Sequence, residues 1–191
     1  MTTAKEIEFK TMLTAEEFQR VKTHYQLTEK TVKKQTNYYF DTPDQRLKKR
    51  HWGLRIRLYP DSAEQTLKIP ASTGGLWEIT DSLTLKEAQR LTKKAQLKAD
   101  GQIANKLASI GIKVEEIVLL ADLTTARWEF KIPAGLLAID ESWYGNGHDY
   151  ELELEVSDFT QGKEQFQHLL TELDLTFRPG ANKITRAIKE K

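Results

Sequence analysis

The chain has no cysteine among its 191 residues, so neither a disulfide framework nor thiolate chemistry is open to it. It lacks an excess of charge of either sign: 29 basic residues stand against 28 acidic ones, a formal net charge of +1. General nucleic-acid and membrane-surface binders carry a marked basic surplus, so this balance argues against both while leaving room for local patches. No uninterrupted apolar run approaches membrane-spanning length, and the opening "MTTAKEIEFK" has no apolar core of a signal segment. Internal repeats at solenoid spacing and low-complexity stretches are also missing. What remains is the expectation of one cytoplasmic domain over residues 1–191, with 39% hydrophobic residues to supply a core.

Two capping boxes mark helix starts. Thr14-Ala15-Glu16-Glu17 predicts a helix from Ala15 to about Tyr25, and Thr84-Leu85-Lys86-Glu87 opens helical texture that runs intermittently to Ile110. Gly162 to Leu173 forms a third amphipathic stretch, and Thr42-Pro43 suits the start of a short helix ending before Gly53. Strands are expected at "NYYFDT" (Asn37 to Thr42), Leu54 to Pro60, Gln65 to Ala71, "LWEIT", Ala126 to Pro133, Leu136 to Ser142 and "YELELEV". "STGG" (Ser72 to Gly75) reads as a turn, Ala134-Gly135 as a hairpin turn, and "GNGH" (Gly145 to His148) carries the Asn-Gly signal of a tight turn. The layout is α+β with mainly antiparallel strands.

In a strand, residues i and i+2 point the same way, roughly 6.6 to 7 Å apart. Glu6, Glu8 and Lys10 therefore share a face, with Ile7 and Phe9 opposite. The same holds for Arg55 and Arg57, for Thr66 and Lys68, for Arg127, Glu129 and Lys131, and for Glu151, Glu153 and Glu155. An antiparallel sheet with one wet face gives this alternation without any site. Two features weigh against that plain reading. A solvated face mixes signs, because like charges across strands cost stability, whereas Glu151, Glu153 and Glu155 are all acids and Arg55 and Arg57 both bases. The helices also carry apolar stripes that must be buried, and the apolar strand faces are the available partner. A sheet curled into a barrel with helices outside would turn the charges into the bore, and an open sheet would leave them in water. Alternation alone does not choose.

The motifs run further. "EIEFK", "YYFDTPDQRLKKRHWGLRIRL", "TLKIP", "AIDES", "DYELELEV" and "NKITRA" occur in that order over essentially the whole chain. Together they resemble the CYTH superfamily, the triphosphate tunnel metalloenzymes. The resemblance implies a closed, mainly antiparallel β-barrel of about eight strands with helices packed outside. It implies a triphosphate as small-molecule substrate, Mg²⁺ or Mn²⁺ as cofactor, and neither nucleic acid nor membrane as partner. Carried over position by position, it assigns the metal to Glu6, Glu8, Asp140, Glu151 and Glu153, and the triphosphate to Lys10, Arg55, Arg57, Lys68, Arg127, Lys183 and Arg186. Catalytic roles fall to Glu151, Glu153 and Lys68, with Glu153/Glu155 as the alternative register for the late acidic pair. Glu78 also falls among tunnel-lining positions. The sequence departs from the family pattern at Asn182, where a serine is common, and at Leu76-Trp77, where a basic residue is common.

These residue types suit that chemistry. Guanidinium groups fork onto phosphate oxygens, and carboxylates match hard, oxygen-preferring divalent ions. None of the four histidines lies in the motifs, which argues against zinc and leaves His24, His51, His148 and His168 as surface or packing residues. The expected reaction is metal-assisted hydrolysis of a phosphoanhydride, with inorganic triphosphate as substrate because nothing marks a base-recognition pocket. The same family contains class IV adenylate cyclases, so cyclic AMP formation from ATP is the rival enzyme reading, and a polyphosphate-binding module the rival without turnover. Surface tryptophan and tyrosine would suit a homodimer, which composition alone does not establish.

Overall fold

The computed structural model describes residues 2–72 and 74–189. Thr73, inside the turn expected over Ser72 to Gly75, lies outside the described residues. The strands are β1 (Thr2–Leu13), β2 (Lys33–Asp41), β3 (Gly53–Leu58), β4 (Ala63–Pro70), β5 (Leu76–Leu83), β6 (Val118–Ile132), β7 (Gly135–Tyr144) and β8 (Gly147–Val156). They join in the order β1-β5-β4-β3-β2-β6-β7-β8 and close on themselves, every pairing antiparallel. Closure depends on the long first strand. Residues Thr2 to Glu6 of β1 pair with β5, and Ile7 to Leu13 pair with β8, so one strand spans what would otherwise be a seam between two exposed edges.

The helices are α1 (Ala15–His24), α2 (Leu85–Lys93), α3 (Gln102–Ala108), α4 (Phe159–Glu172) and α5 (Lys183–Lys189). Four of them cover the outside of the barrel. Phe18 and Val21 of α1, with Phe166, Leu169 and Leu170 of α4, pack on Trp128, Ile139, Leu152 and Leu154. Phe18 stacks on Tyr150 at 4.3 Å between ring centres and meets Trp128 edge-on at 5.9 Å. On the other side, Leu91 of α2 and Ile103 and Leu107 of α3 pack on Phe40, Leu54, Ile56 and Leu67. The apolar strand faces therefore point outward beneath helices, and the charged faces point into the bore. None of the helices described is long and apolar enough to cross a membrane.

Several expected boundaries move. β6 begins at Val118, eight residues before the expected Ala126: at this end the inward Ala121 and Leu123 are apolar and the charged Asp122 is exposed outside, the reverse of the pattern at Arg127, Glu129 and Lys131. β2 begins at Lys33, and α4 begins at Phe159, where the Asp158 side chain accepts from the Gln161 amide as N-cap. The short helix expected after Thr42 is only a three-residue 3-10 turn, Lys48–Arg50. Asp41 shapes that loop by accepting from the amides of Thr42, Leu47 and Lys48. The hairpin between β6 and β7 turns at Pro133-Ala134, since Ile132 pairs directly with Gly135. In "GNGH" the turn residues are Gly145 and Asn146, and Gly145 takes the positive φ, 51°. Gly147 is glycine for space, because a Cβ there would meet the Tyr144 ring at 2.3 Å.

Leu154 is fully buried between the barrel and α4. Leu154→Ala should cost about 2–5 kcal/mol of unfolding free energy, read as a lower urea midpoint. A change under about 1 kcal/mol would mean that the outward face is not packed as described.

Candidate active site

Ladder register, more than any single motif, assembles the bore. Residues directly opposite one another on neighbouring strands share a face. Arg127 on β6 stands opposite Asp140 on β7, and Asp140 stands opposite Glu151 on β8. Glu153 stands opposite Lys10 of β1. Across the barrel, Arg55 and Arg57 of β3 face Tyr39 and Asn37 of β2, while Lys68 of β4 faces Glu78 of β5. Two further cations come from outside the sheet. Lys183 and Arg186 lie three residues apart on α5, hence on one side of it. The other side of α5, Ile184, Ala187 and Ile188, packs on the inward-facing Tyr39, Ala121, Leu123 and Tyr144 and stops one mouth of the barrel.

The acids gather at one level. Asp140 and Glu151 are wholly buried and Glu153 nearly so, and each offers an oxygen within 4.8 Å of the others. Arg127 binds Asp140 with two parallel hydrogen bonds of 2.8 and 2.6 Å and also reaches Glu153. The Lys183 ammonium sits among all three carboxylates, 2.9 Å from Asp140 and in direct contact with Glu151 and Glu153. Arg186 meets Glu151 at 3.0 Å and Asp149 at 2.7 Å. Lys10 is 3.1 Å from Glu8 and 3.8 Å from Glu151.

Burial by itself would raise the pKa of Asp140 and Glu153, but Lys183 and Arg127 outweigh it, holding Asp140 below and Glu153 well below the usual carboxylate range. Burial likewise works against the charge of Lys183, and Asp140, Glu153 and Glu151 outweigh it, so its pKa lies well above that of an ordinary lysine. Glu8 goes the other way: burial and the nearby Glu153 push its pKa up despite Lys10, Lys68 and Lys183.

The opposite wall is poorer in partners. The Nε of Arg55 is buried without a hydrogen bond, and its guanidinium comes no nearer than 3.9 Å to Glu78. Arg57 donates from Nε to Asn37 Oδ1 at 2.8 Å and from Nη1 to the Tyr59 hydroxyl at 3.1 Å, with Glu64 at 3.7 Å. Burial and the adjacent Arg55 lower the Arg57 pKa, the mark of cations crowded together. Lys68 pairs with Glu6 and, at 3.3 Å, with Glu78. The bore is thus polar along its walls, with carboxylates in surplus company on one side and guanidinium groups short of anions on the other.

Every residue singled out from the sequence faces this bore: Glu6, Glu8, Lys10, Arg55, Arg57, Lys68, Arg127, Asp140, Glu151, Glu153, Lys183 and Arg186. Glu78 lines it too. Glu155 faces the same way, its pKa raised by burial and by Glu6, Glu78 and Glu129, while Lys131 is exposed at the rim. Of the late acids, Glu151 and Glu153 join Asp140 in the three-carboxylate cluster and Glu155 does not. His24, His51, His148 and His168 are all exposed, and His148 lies outside the barrel against Trp143. Asn37, Tyr59 and Glu64, which orient Arg57, were not singled out. Asn37 could have been found only by knowing that it lies across from Arg57.

An all-oxygen donor set of three converging carboxylates fits a hard divalent ion, and Glu8 adds a fourth acid whose repulsion with Glu153 a cation would relieve.

A closed antiparallel barrel with acids and bases lining its bore has the architecture of a tunnel protein. The CYTH domain model matches residues 4–188, and the chain belongs to the CYTH family. It is similar to a protein of Bacillus subtilis (strain 168) named "Putative triphosphatase YjbK", 36% identical over 190 residues that cover 97% of this chain and 95% of the relative. A solved structure from Bacillus halodurans, named a putative adenylate cyclase, superposes with a TM-score of 0.91 at 32% identity, covering 97% of this chain and 98% of that one. A third, the Hippeastrum protein HpAC1, shares the fold with a TM-score of 0.77 at 24% identity, covering 97% and 96% of the two chains.

The segment leading to α5 is clamped before it enters the barrel mouth. Arg178 gives its amide to Thr11 Oγ1 at 2.9 Å, its carbonyl accepts from the Met12 amide at 2.9 Å, and its guanidinium donates to Glu17 at 2.6 Å. Glu17 also closes the capping box with Thr14. Burial would raise the Glu17 pKa, but the Arg178 hydrogen bond and the Thr14 and Thr176 amides outweigh it and bring it below the ordinary value. A depressed carboxylate stabilises the fold above its unfolded pKa of about 4 and loses that contribution as pH falls further through the folded value. The urea midpoint should therefore drop more between pH 6 and pH 3 in the wild type than in Glu17→Gln. Equal drops would remove Glu17 as a source of acid lability.

Proposed function

We propose that this chain is a divalent-metal-dependent triphosphatase, with inorganic triphosphate as its substrate. The observation that carries the reading is the convergence, in one closed bore, of three buried carboxylates with guanidinium groups that lack full partners. The name of the Bacillus subtilis relative supports hydrolysis of a triphosphate. A triphosphate carries about four negative charges near neutral pH, and Arg55 and Arg57, whose carboxylate neighbours are the most distant of the seven inward cations' at 3.9 and 3.7 Å, are placed to meet them.

Arg55 and Arg57 bind phosphoryl oxygens, with Arg57 held at its angle by Asn37, Tyr59 and Glu64. Lys68, between Glu6 and Glu78, donates to the phosphoryl group as charge builds on it, and Arg127 stabilises the same charge from the acidic side. Asp140, Glu151 and Glu153, with Glu8 beside them, would hold the divalent ion, which would supply neutralisation of phosphate charge and acidification of water, while Glu6 lies outside that cluster and pairs with Lys68. Glu151 and Glu153 orient the water for in-line attack on the phosphorus, and Lys10 keeps their negative charge in register. α5 stops one mouth and keeps bulk water out of that end.

A second reading has one specific support, the adenylate cyclase name of the Bacillus halodurans structure. In that case a ribose hydroxyl takes the place of water, giving cyclic AMP and pyrophosphate from ATP. Incubation with tripolyphosphate or ATP, each with Mg²⁺ or Mn²⁺, separates the two. Orthophosphate from tripolyphosphate is the expected result. Cyclic AMP from ATP, or tight binding without turnover across several metals, would displace it. Glu8→Gln should lower turnover of tripolyphosphate by at least ~10²-fold, the scale of a lost catalytic charge. Unchanged turnover would remove Glu8 from the machinery.

A further inference from the structure

The Lys183 ammonium contacts all three carboxylates of the buried cluster, the same oxygens that converge within 4.8 Å of one another. An ammonium and a divalent cation cannot share that spot. They would compete for the same lone pairs and repel at contact distance. The conflict is one of place and not of total charge. Arg127, Lys183, Arg186 and Lys10 face Asp140, Glu151 and Glu153 together with Glu8 and Asp149, so the acids outnumber the bases, and what an arriving cation meets is an ammonium already on the lone pairs it needs.

The chain is built so that Lys183 can leave. It is the first residue of α5, and α5 has seven residues, too few to be stable without its contacts. The clamp at Arg178 holds the preceding segment on β1 and α1, so movement of α5 is confined to Pro179, Gly180, Ala181 and Asn182 between them. The side-chain polar contacts of α5 run mainly to the acids: Lys183 to the three carboxylates, and Arg186 to Glu151 and Asp149, with one further Arg186 hydrogen bond to the Ala181 carbonyl of the linking segment itself. Among the described residues, loss of the acids leaves α5 its small apolar contact with Tyr39, Ala121, Leu123 and Tyr144 and that bond to its own linker.

We propose that Lys183 is an exchangeable counter-ion: it fills the divalent-cation position of the metal-free tunnel, and the arriving cation displaces it and loosens α5. The inference rests on the metal-site reading above. It makes Lys183 a residue of two positions, bound to carboxylates before metal loading and free afterwards to meet phosphate. Metal occupancy and the plug at the barrel mouth become one coupled equilibrium.

The test is Mn²⁺ binding without any phosphate, followed by the free-ion signal in electron paramagnetic resonance. Lys183→Ala and Lys183→Gln should bind Mn²⁺ about 10-fold or more tighter than the wild type, a coupling ordinary for groups in direct contact, and Lys183→Arg should gain nothing. Arg57→Gln removes one charge elsewhere in the bore and should change the affinity by no more than about threefold, since it is not in contact with the cluster. In the wild type, which needs no variant to fold, Mn²⁺ alone should speed amide hydrogen exchange in α5 but not at the clamp of Met12 and Arg178. Equal Mn²⁺ affinity in wild type and Lys183→Gln, an equal gain in Arg57→Gln, or unchanged exchange in α5 would each overturn the exchange of ions while leaving the metal site intact. No Mn²⁺ binding by any of the proteins would overturn the metal-site reading and this one with it.

Discussion

Closing the barrel forces a dozen ionised side chains to face one another across a narrow bore, and the need to compensate them there governs most of the structure. A charge taken from water is costly unless it is paired and hydrogen-bonded. Register answers that need: Arg127, Asp140 and Glu151 fall directly across from one another on three successive strands, and Lys10 falls across from Glu153. The outer helices follow from the same constraint. With the charged faces committed inward, the apolar faces must be covered from outside, as α1 and α4 do on one flank and α2 and α3 on the other.

Compensation is uneven, and the unevenness gives the bore its direction. The carboxylate side is buried and held by Arg127, Lys183 and Arg186, while on the other side the Arg55 Nε has no acceptor and Arg57 leans on the neutral Asn37 and Tyr59. A polyanion lying along the bore would meet hydrogen-bond donors on one wall and, at the other, acids suited to a cation. α5 contributes to both features. It brings two of the compensating charges and seals the apolar mouth, yet its seven residues are too few for a helix to hold without those contacts.

Much of this was legible in the sequence where alternation is strict. β1, β3 and β8 announce themselves through "EIEFK", "LRIRL" and "ELELEV", because one face of each is charged and the other apolar. The first half of β6 was not legible, for a reason the fold supplies: Ala121 and Leu123 face inward against α5 while Asp122 is exposed outside, so the charged-inside pattern of Arg127 to Lys131 is inverted there. α5 escaped for a related reason. Its seven residues are too few for a periodic stripe to stand out, and the burial of Ala187 is meaningful only once the barrel mouth exists. Asn37 reads from sequence as an ordinary strand residue and becomes a support for Arg57 only through the pairing of β2 with β3.

The amino-acid order determined which side chains share a face, since the two-residue repeat of a strand is a property of the local backbone. It also determined the helix starts, where Thr14 and Asp158 cap amides a few residues away. The tertiary structure alone decided that the charged faces turn inward, because alternation is the same for a sheet curled either way or left open. That choice rests on β1 pairing with β5 through one half and β8 through the other, contacts that span most of the chain. It likewise decided that Lys183 meets carboxylates first, a matter of where the last helix docks and not of any local pattern.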